Sequence, residues 1–204
     1  MSELGELYKQ MAECRLCEIS KTRTHVVPGE GSENPEILFI GEAPGFHEDQ
    51  MGRPFVGPAG QFLDKMLASI NLKRHQVHIV NVIKCRPPNN REPQPEEIDN
   101  CRPWLDKQIE LIKPKMIVTL GRFSMAKFFP DKTISKIHGT GVKINGIVYF
   151  AMYHPAAALH QQSLRETIEA DMLKIPAYLA EAKKAVEVKP IKPEPPESKQ
   201  LSMF

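Results

Sequence analysis

The stretch Ile37-Leu38-Phe39-Ile40-Gly41-Glu42-Ala43-Pro44-Gly45 decides the fold class. Its four apolar residues form the short continuous run of a buried strand, which ends in a loop rich in glycine and proline. Apolar residues then recur at helical spacing, at Phe62, Leu63, Met66, Leu67 and Ile70. The segment 36–72 therefore predicts a strand, a loop and a helix. In open α/β sheets ligands bind at such loops, although an ordinary connection that uses glycine only for its backbone freedom has the same pattern.

The same alternation of strands and helices continues to the C-terminal part of the chain. Residues 77–83 have the β-branched composition of a buried parallel strand, and residues 116–120 form a third strand. The two-residue turn signal Asn145-Gly146 precedes a last strand at 147–152, and a final helix is predicted at about 163–185. The sequence thus predicts an α/β fold, a three-layer α/β/α sandwich with a mostly parallel central sheet.

Length and composition indicate one compact domain. The chain has 204 residues, of which 41% are hydrophobic, so residues 1–186 suffice for one full core. The net charge of +2 permits nucleic-acid binding without requiring it. No segment resembles a signal peptide or a membrane span, which predicts a cytoplasmic protein, and its cysteines should be reduced there.

The four cysteines suggest a metal centre. Cys14 and Cys17 have the Cys-x2-Cys spacing of metal ligands, and Cys85 and Cys101 complete a set of four. A zinc ribbon usually has two close pairs, whereas fifteen residues separate the second pair here, so a [4Fe-4S] cluster with a structural role is favoured over zinc. Four unrelated buried cysteines are the weaker alternative, because Cys14 and Cys17 lie in a polar segment.

Unusual residues lie near the carboxyl ends of three separate strands and should meet at one edge of the sheet: Gly41-Glu42-Ala43 on the first, Asn81 on the second and His154 on the last. Asn81 is costly to bury unless its amide is satisfied, and a carboxamide pairs well with the edge of a pyrimidine ring. His154 is a candidate acid, base or neutral donor to an oxyanion. Phe55, in an exposed loop, could stack on a flat ligand. Each also has a purely structural interpretation, and their convergence is what favours a site.

The motifs together resemble a family 4 uracil-DNA glycosylase, the iron–sulfur branch of that superfamily. The resemblance covers about residues 5–180 and is carried, besides the four cysteines, by Gly41-Glu42-Ala43-Pro44-Gly45, Gly52-Arg53-Pro54-Phe55-Val56-Gly57, Asn81-Val82-Ile83-Lys84-Cys85-Arg86-Pro87-Pro88 and His154-Pro155-Ala156. It implies a hydrolase that removes uracil from single- or double-stranded DNA to start base excision repair.

The resemblance also implies roles for individual residues. Phe55 would stack on the flipped uracil, Asn81 would read its edge and reject cytosine, and His154 would stabilise the departing base. Three more positions match residues that line the pocket, namely Glu42, Ala43 and Glu48. Because Ala43 stands where some superfamily members carry an activating aspartate, Glu42 and Glu48 remain the two candidates for orienting the water.

Several residues are candidates for DNA contacts. Leu159 could act as the apolar wedge of base flipping, or simply pack at a helix start. Basic side chains are candidates for phosphate contacts, although each could equally be a solvated surface residue: they are Lys84, Arg86, Arg91 and Arg165. The main alternative function is a lesion-binding module that does not turn over or forms an adduct, and a third is electron transfer. Some relatives form such an adduct with DNA through a histidine in a basic insertion after the cysteine-bearing strand. Residues 86–97 of this chain contain no histidine, which disfavours adduct formation.

The C-terminal residues predict a tether and a peptide motif. Residues 187–199 are rich in proline and charge and should be disordered. Gln200-Leu201-Ser202-Met203-Phe204 resembles the pentapeptide with which bacterial proteins bind the replication sliding clamp; a functionless end is the alternative. We expect this end to bind the clamp. We also expect the protein to be a monomer that acts at the nucleoid.

Overall fold

A six-stranded sheet is the centre of the computed structural model, which describes residues 2–183. The strand order is β1-β3-β2-β4-β6-β5; the four central strands are parallel, and both edge strands are antiparallel to their neighbours. The strands are β1 Glu30–Gly31, β2 Ile37–Gly41, β3 His78–Asn81, β4 Met116–Leu120, β5 Thr140–Ile144 and β6 Ile147–Met152. The predicted mostly parallel sheet is confirmed.

Eight α-helices and four short 3₁₀ helices accompany the sheet in the described range. The α-helices are α1 Glu3–Ala12, α2 Phe46–Met51, α3 Pro58–Ser69, α4 Pro95–Ile112, α5 Arg122–Ala126, α6 Ile134–Ile137, α7 Gln162–Met172 and α8 Ile175–Lys183. The 3₁₀ helices are Glu18–Lys21, Arg74–Gln76, Pro88–Asn90 and Pro155–Leu159. No helix among residues 2–183 combines the length and apolarity needed to cross a membrane.

Two apolar cores cover the two faces of the sheet. Side chains alternate between faces along a strand, so Phe39 of β2 packs in the core that includes α3, α7 and α8. Its neighbours Leu38 and Ile40 pack in the other core, with α1 and α4. The sheet therefore lies between two helical layers, as the sequence predicted for an α/β/α sandwich.

The predicted final helix is interrupted. It forms two helices, α7 ending at Met172 and α8 beginning at Ile175. Pro176 explains the interruption, because it has no N–H to donate to the carbonyl of Met172 and its ring crowds that carbonyl. Between the two helices, the ammonium of Lys174 donates to the carboxylate of buried Asp171 at 2.7 Å.

Several predictions concern residues beyond the described range. The end of the predicted domain at residue 186, the tether at 187–199 and the clamp-binding peptide at 200–204 all lie outside residues 2–183. They remain predictions from the sequence.

Candidate active site

A cavity of about 170 Å³ lies where β2, β3 and β6 end. Gly41 and Asn81 are register partners at the carboxyl ends of β2 and β3, and His154 follows β6. The structure thus brings together most of the residues that sequence patterns and resemblance assigned to the site. The cavity is lined by Ala43, Gly45, Glu48, Phe55, Ala59, Asn81, His154 and Ala156.

The amide of Asn81 faces this cavity with an unsatisfied acceptor. The residue is 1% exposed, and its Oδ1 atom has no hydrogen-bond partner among the described residues. A buried acceptor without a partner is costly, so the arrangement favours a ligand that brings an N–H donor. Gly41 makes room for it, because a Cβ at Gly41 would lie 2.4 Å from Asn81 Oδ1 and 2.6 Å from Phe55 Cε2.

His154 is held as a neutral donor. Its Nδ1 accepts the backbone N–H of Ala156 at 3.1 Å, which leaves the ring proton on Nε2. Burial lowers the pKa of His154 to about 4, and the nearby Glu48 opposes this shift only in part. The imidazole is therefore uncharged at neutral pH, and it can donate from Nε2 to an atom in the cavity.

Phe55 is both a core residue and a wall of the cavity. It is 5% exposed, and its ring centroid lies 5.6 Å from that of His154, with the rings tilted by 30°. Its backbone is in the left-handed region, at φ 51°, which is strained for a non-glycine residue. The sequence allowed Phe55 to be either a ring that stacks on a ligand or a loop anchor packed on the core. Its position is compatible with both roles at once.

Arg74 holds the strained loop in place. Its guanidinium donates to the carbonyl of Phe55 at 3.1 Å and to that of Pro54, and it pairs with Glu30 and Asp64. Arg74 is not a residue that the sequence pattern predicts to be functional. No local pattern could reveal it, because the loop residues it holds are about twenty positions away in the chain.

The two candidate acids differ in their surroundings. Glu48 lines the cavity, and its carboxylate accepts the backbone N–H groups of Val56 at 2.9 Å, Gly57 at 2.8 Å and Gly45 at 3.1 Å. It therefore joins the two loops that form the cavity. Glu42 is not among the lining residues, and burial raises the pKa of its carboxyl group.

All four cysteines line a second cavity. The guanidinium of Arg23 donates to Cys85 Sγ at 3.1 Å, and the indole of Trp104 donates to Cys14 Sγ at 3.3 Å. Such donors stabilise thiolates. Within residues 2–183 no three His, Cys, Asp or Glu side chains are placed to hold a single metal ion. Four cysteine sulfurs around one cavity, two of them with N–H donors, are a donor set that suits either an iron–sulfur cluster or zinc.

The candidate DNA-contacting residues lie in different environments. Leu159 is 47% exposed at the end of the 3₁₀ helix that follows His154. Arg165 has its guanidinium 5.0 Å from the ring centroid of Phe62 and bonds Glu169 at 3.0 Å. Leu159 is therefore free to meet a partner on the same segment that carries His154.

The other three basic candidates have protein partners. Arg86 lies over the exposed ring of Phe46 at 5.1 Å, and Arg91 forms two hydrogen bonds to Glu97, at 2.8 and 2.6 Å. Lys84 is only 2% exposed. The prediction that Lys84 contacts phosphate is therefore wrong, since a buried ammonium cannot reach a DNA backbone.

Known proteins that resemble the chain include a protein superfamily and several individual relatives. Residues 28–182 match the profile of the uracil DNA glycosylase superfamily. The chain is 46% identical to the type-4 uracil-DNA glycosylase of Archaeoglobus fulgidus over 86% of its own length and 92% of that protein. It is 46% identical to the enzyme of the same name from Sulfurisphaera tokodaii, over 86% and 84% of the two chains. The corresponding identity to that of Thermotoga maritima is 39%, over 87% and 95%.

Proposed function

This chain belongs to the uracil-DNA glycosylase superfamily, as a type-4 uracil-DNA glycosylase, and we propose that the cavity at Asn81 and His154 is where it acts. The enzyme is a hydrolase of the N-glycosyl bond between uracil and deoxyribose in DNA.

The orphaned Oδ1 of Asn81 is the observation that carries the proposal. Uracil offers an N–H donor at N3 beside an acceptor at O4, which complements the oxygen and the NH₂ group of one carboxamide. Cytosine reverses both groups and would leave two buried polar pairs mismatched, at a cost of about 1–3 kcal/mol each. Asn81 therefore selects uracil by its pairing edge.

His154 acts on the leaving group. Cleavage of the glycosidic bond leaves negative charge on uracil, and a preorganised neutral donor stabilises that charge in the transition state without transferring a proton. The Nε2–H of His154 is such a donor, while the ring of Phe55 stacks on the base. We assign the positioning of the attacking water to Glu48 rather than Glu42, since Glu48 lines the cavity.

The four cysteines would hold a [4Fe-4S] cluster. Cys14 and Cys17 lie on the N-terminal segment. Cys85 follows β3, and Cys101 lies on α4. When bound, the cluster supplies a covalent crosslink between these parts of the chain. Arg23 and Trp104 would orient two of its thiolates.

DNA would approach the edge of the sheet that carries the cavity. Leu159 would enter the stack as the uracil leaves it, since it is exposed on the segment that begins at His154. Arg86 and Arg165 would contact phosphates beside it. Ala43 would line the uracil site without orienting the water.

The experiment that tests this function is release of free uracil. Full-length protein is incubated with a fivefold excess of an oligonucleotide carrying one uracil, in single-stranded and duplex form, and the free base is quantified against time. Multiple turnovers are expected, with no release from a cytosine control. Binding without release, or a protein–DNA complex that survives denaturation, would instead support the lesion-binding alternative.

The C-terminal residues carry a separate proposal. Gln200, Leu201, Ser202, Met203 and Phe204 would bind the replication sliding clamp, and residues 187–199 would raise the local concentration of the catalytic domain near DNA. Full-length protein and a version ending at Lys199 are titrated against purified clamp. Equal binding of the two, or none, would reject the motif. Light scattering of the full-length protein alone checks that it is a monomer.

A further inference from the structure

Lys84 is a buried cation next to the residue that reads the base. It is 2% exposed, and its Nζ donates to the backbone carbonyl of Asn81 at 2.5 Å. No carboxylate among the described residues pairs with it. A buried ammonium is expensive unless an opposite charge compensates it, so its counter-charge has to come from elsewhere.

The cysteine cavity provides that counter-charge. Lys84 itself lines the cavity, between β3 and Cys85 in the chain. Cys85 and Cys101 line the same cavity, where the negative charge of a thiolate favours the ammonium. Cysteines that ligate iron are thiolates. One residue therefore lies against both the metal-binding cysteines and the backbone of Asn81.

We propose that Lys84 is a positioning residue that couples the cluster-binding cysteines to uracil recognition. Its ammonium balances the negative charge of the thiolates, and the same group fixes the Asn81 carbonyl and with it the direction of the amide in the cavity. This inference rests on the proposed function of the uracil site. It gives the cluster-binding region an influence on base selection, beyond attaching the N-terminal segment.

The test removes the charge while keeping most of the length of the side chain. Lys84→Met is compared with the parent holoenzyme and with Lys73→Met, an exposed lysine outside the site. Three quantities are measured: the rate at which a chelator removes iron, the single-turnover rate of uracil excision and the dissociation constant for uncleavable uracil DNA. We expect Lys84→Met to lose iron about tenfold faster and to excise uracil about tenfold more slowly. The dissociation constant should stay within about twofold of the parent value, and Lys73→Met should change none of the three.

Either rate staying within about twofold of the parent value in folded Lys84→Met would overturn the coupling. If the parent itself released no uracil, the proposed function would fail instead, so the two failures are distinguishable. Should Lys84→Met not fold, iron release from the parent is measured with saturating free uracil or cytosine. Coupling is reciprocal, so uracil should slow iron release and cytosine should not. Equal rates with the two bases would overturn the proposal.

Discussion

A methyl group at Gly41 should abolish most of the activity while leaving the protein folded. The φ of Gly41 is not in the left-handed region, so alanine fits the backbone there. Its Cβ would lie 2.4 Å from Asn81 Oδ1 and 2.6 Å from Phe55 Cε2. Ordinary van der Waals contact begins near 3.4 Å, so the two side chains that would hold the base must each move by about 1 Å.

A displacement of this size has a predictable cost. A misplacement of about 1 Å in a catalytic arrangement costs on the order of 10²-fold in rate. Overpacking a tight core costs about 1–3 kcal/mol of stability, which corresponds to a fall in melting temperature of roughly 2–4 °C per kcal/mol for a chain of this size. We therefore expect Gly41→Ala to lower the single-turnover rate of uracil excision on the order of 10²-fold, with a moderate loss of stability.

The matched control is Gly146→Ala in the β5–β6 turn. Gly146 has φ 85°, so alanine is strained there, but a Cβ would meet nothing within 4 Å. The control should lose stability and keep its excision rate. Single-turnover kinetics on a uracil oligonucleotide, with thermal unfolding of the same samples, compares the two. A Gly41→Ala enzyme as fast as the control would refute the assignment of the cavity as the uracil site.

Three further predictions follow from the site. His154→Ala should lower the single-turnover rate on the order of 10²-fold or more while DNA affinity stays constant, because an oxyanion donor acts in the transition state; equal losses in affinity would contradict this. The excision rate should be constant from about pH 7 to 5 and fall towards pH 4 as His154 gains a proton. Since its pKa lies below the usual value of about 6.5, the unfolded chain takes up that proton first, so His154 destabilises the fold as pH falls from 6.5 to 4. Cys17→Ala should lower both iron content and melting temperature, and metal analysis finding one zinc and no iron in the parent would contradict the cluster.

The sequence predicted the parts of the fold that local pattern encodes. The apolar run at 37–40 and the turn at Asn145-Gly146 were sufficient for strands β2 and β6. The edge strand β1 was not predicted, because two residues give no periodicity and their pairing depends on β3. The interruption before Ile175 was also missed, although Pro176 was a visible signal.

The sequence could place the candidate site residues at one edge of the sheet, but it could not show how they are held. Asn81 and His154 could be placed at one sheet edge because strands of a parallel sheet end together. The burial of Lys84 could not be predicted, because lysine is almost always exposed and its partners come from tertiary packing. The hydrogen bonds of Glu48 to Val56 and Gly57 likewise depend on how two loops meet.

The most direct test of the central claim is base release by Asn81→Asp. The substitution keeps the volume of the side chain and replaces the NH₂ donor with an acceptor, so the pairing edge no longer matches O4 of uracil. Release of free base is measured in single turnover from two oligonucleotides that differ only in carrying uracil or cytosine. We expect uracil release to fall about 10- to 100-fold, as for one mismatched buried hydrogen bond of about 1–3 kcal/mol, and the ratio of cytosine to uracil release to rise. An Asn81→Asp enzyme that released uracil at the parent rate and still rejected cytosine would contradict the account.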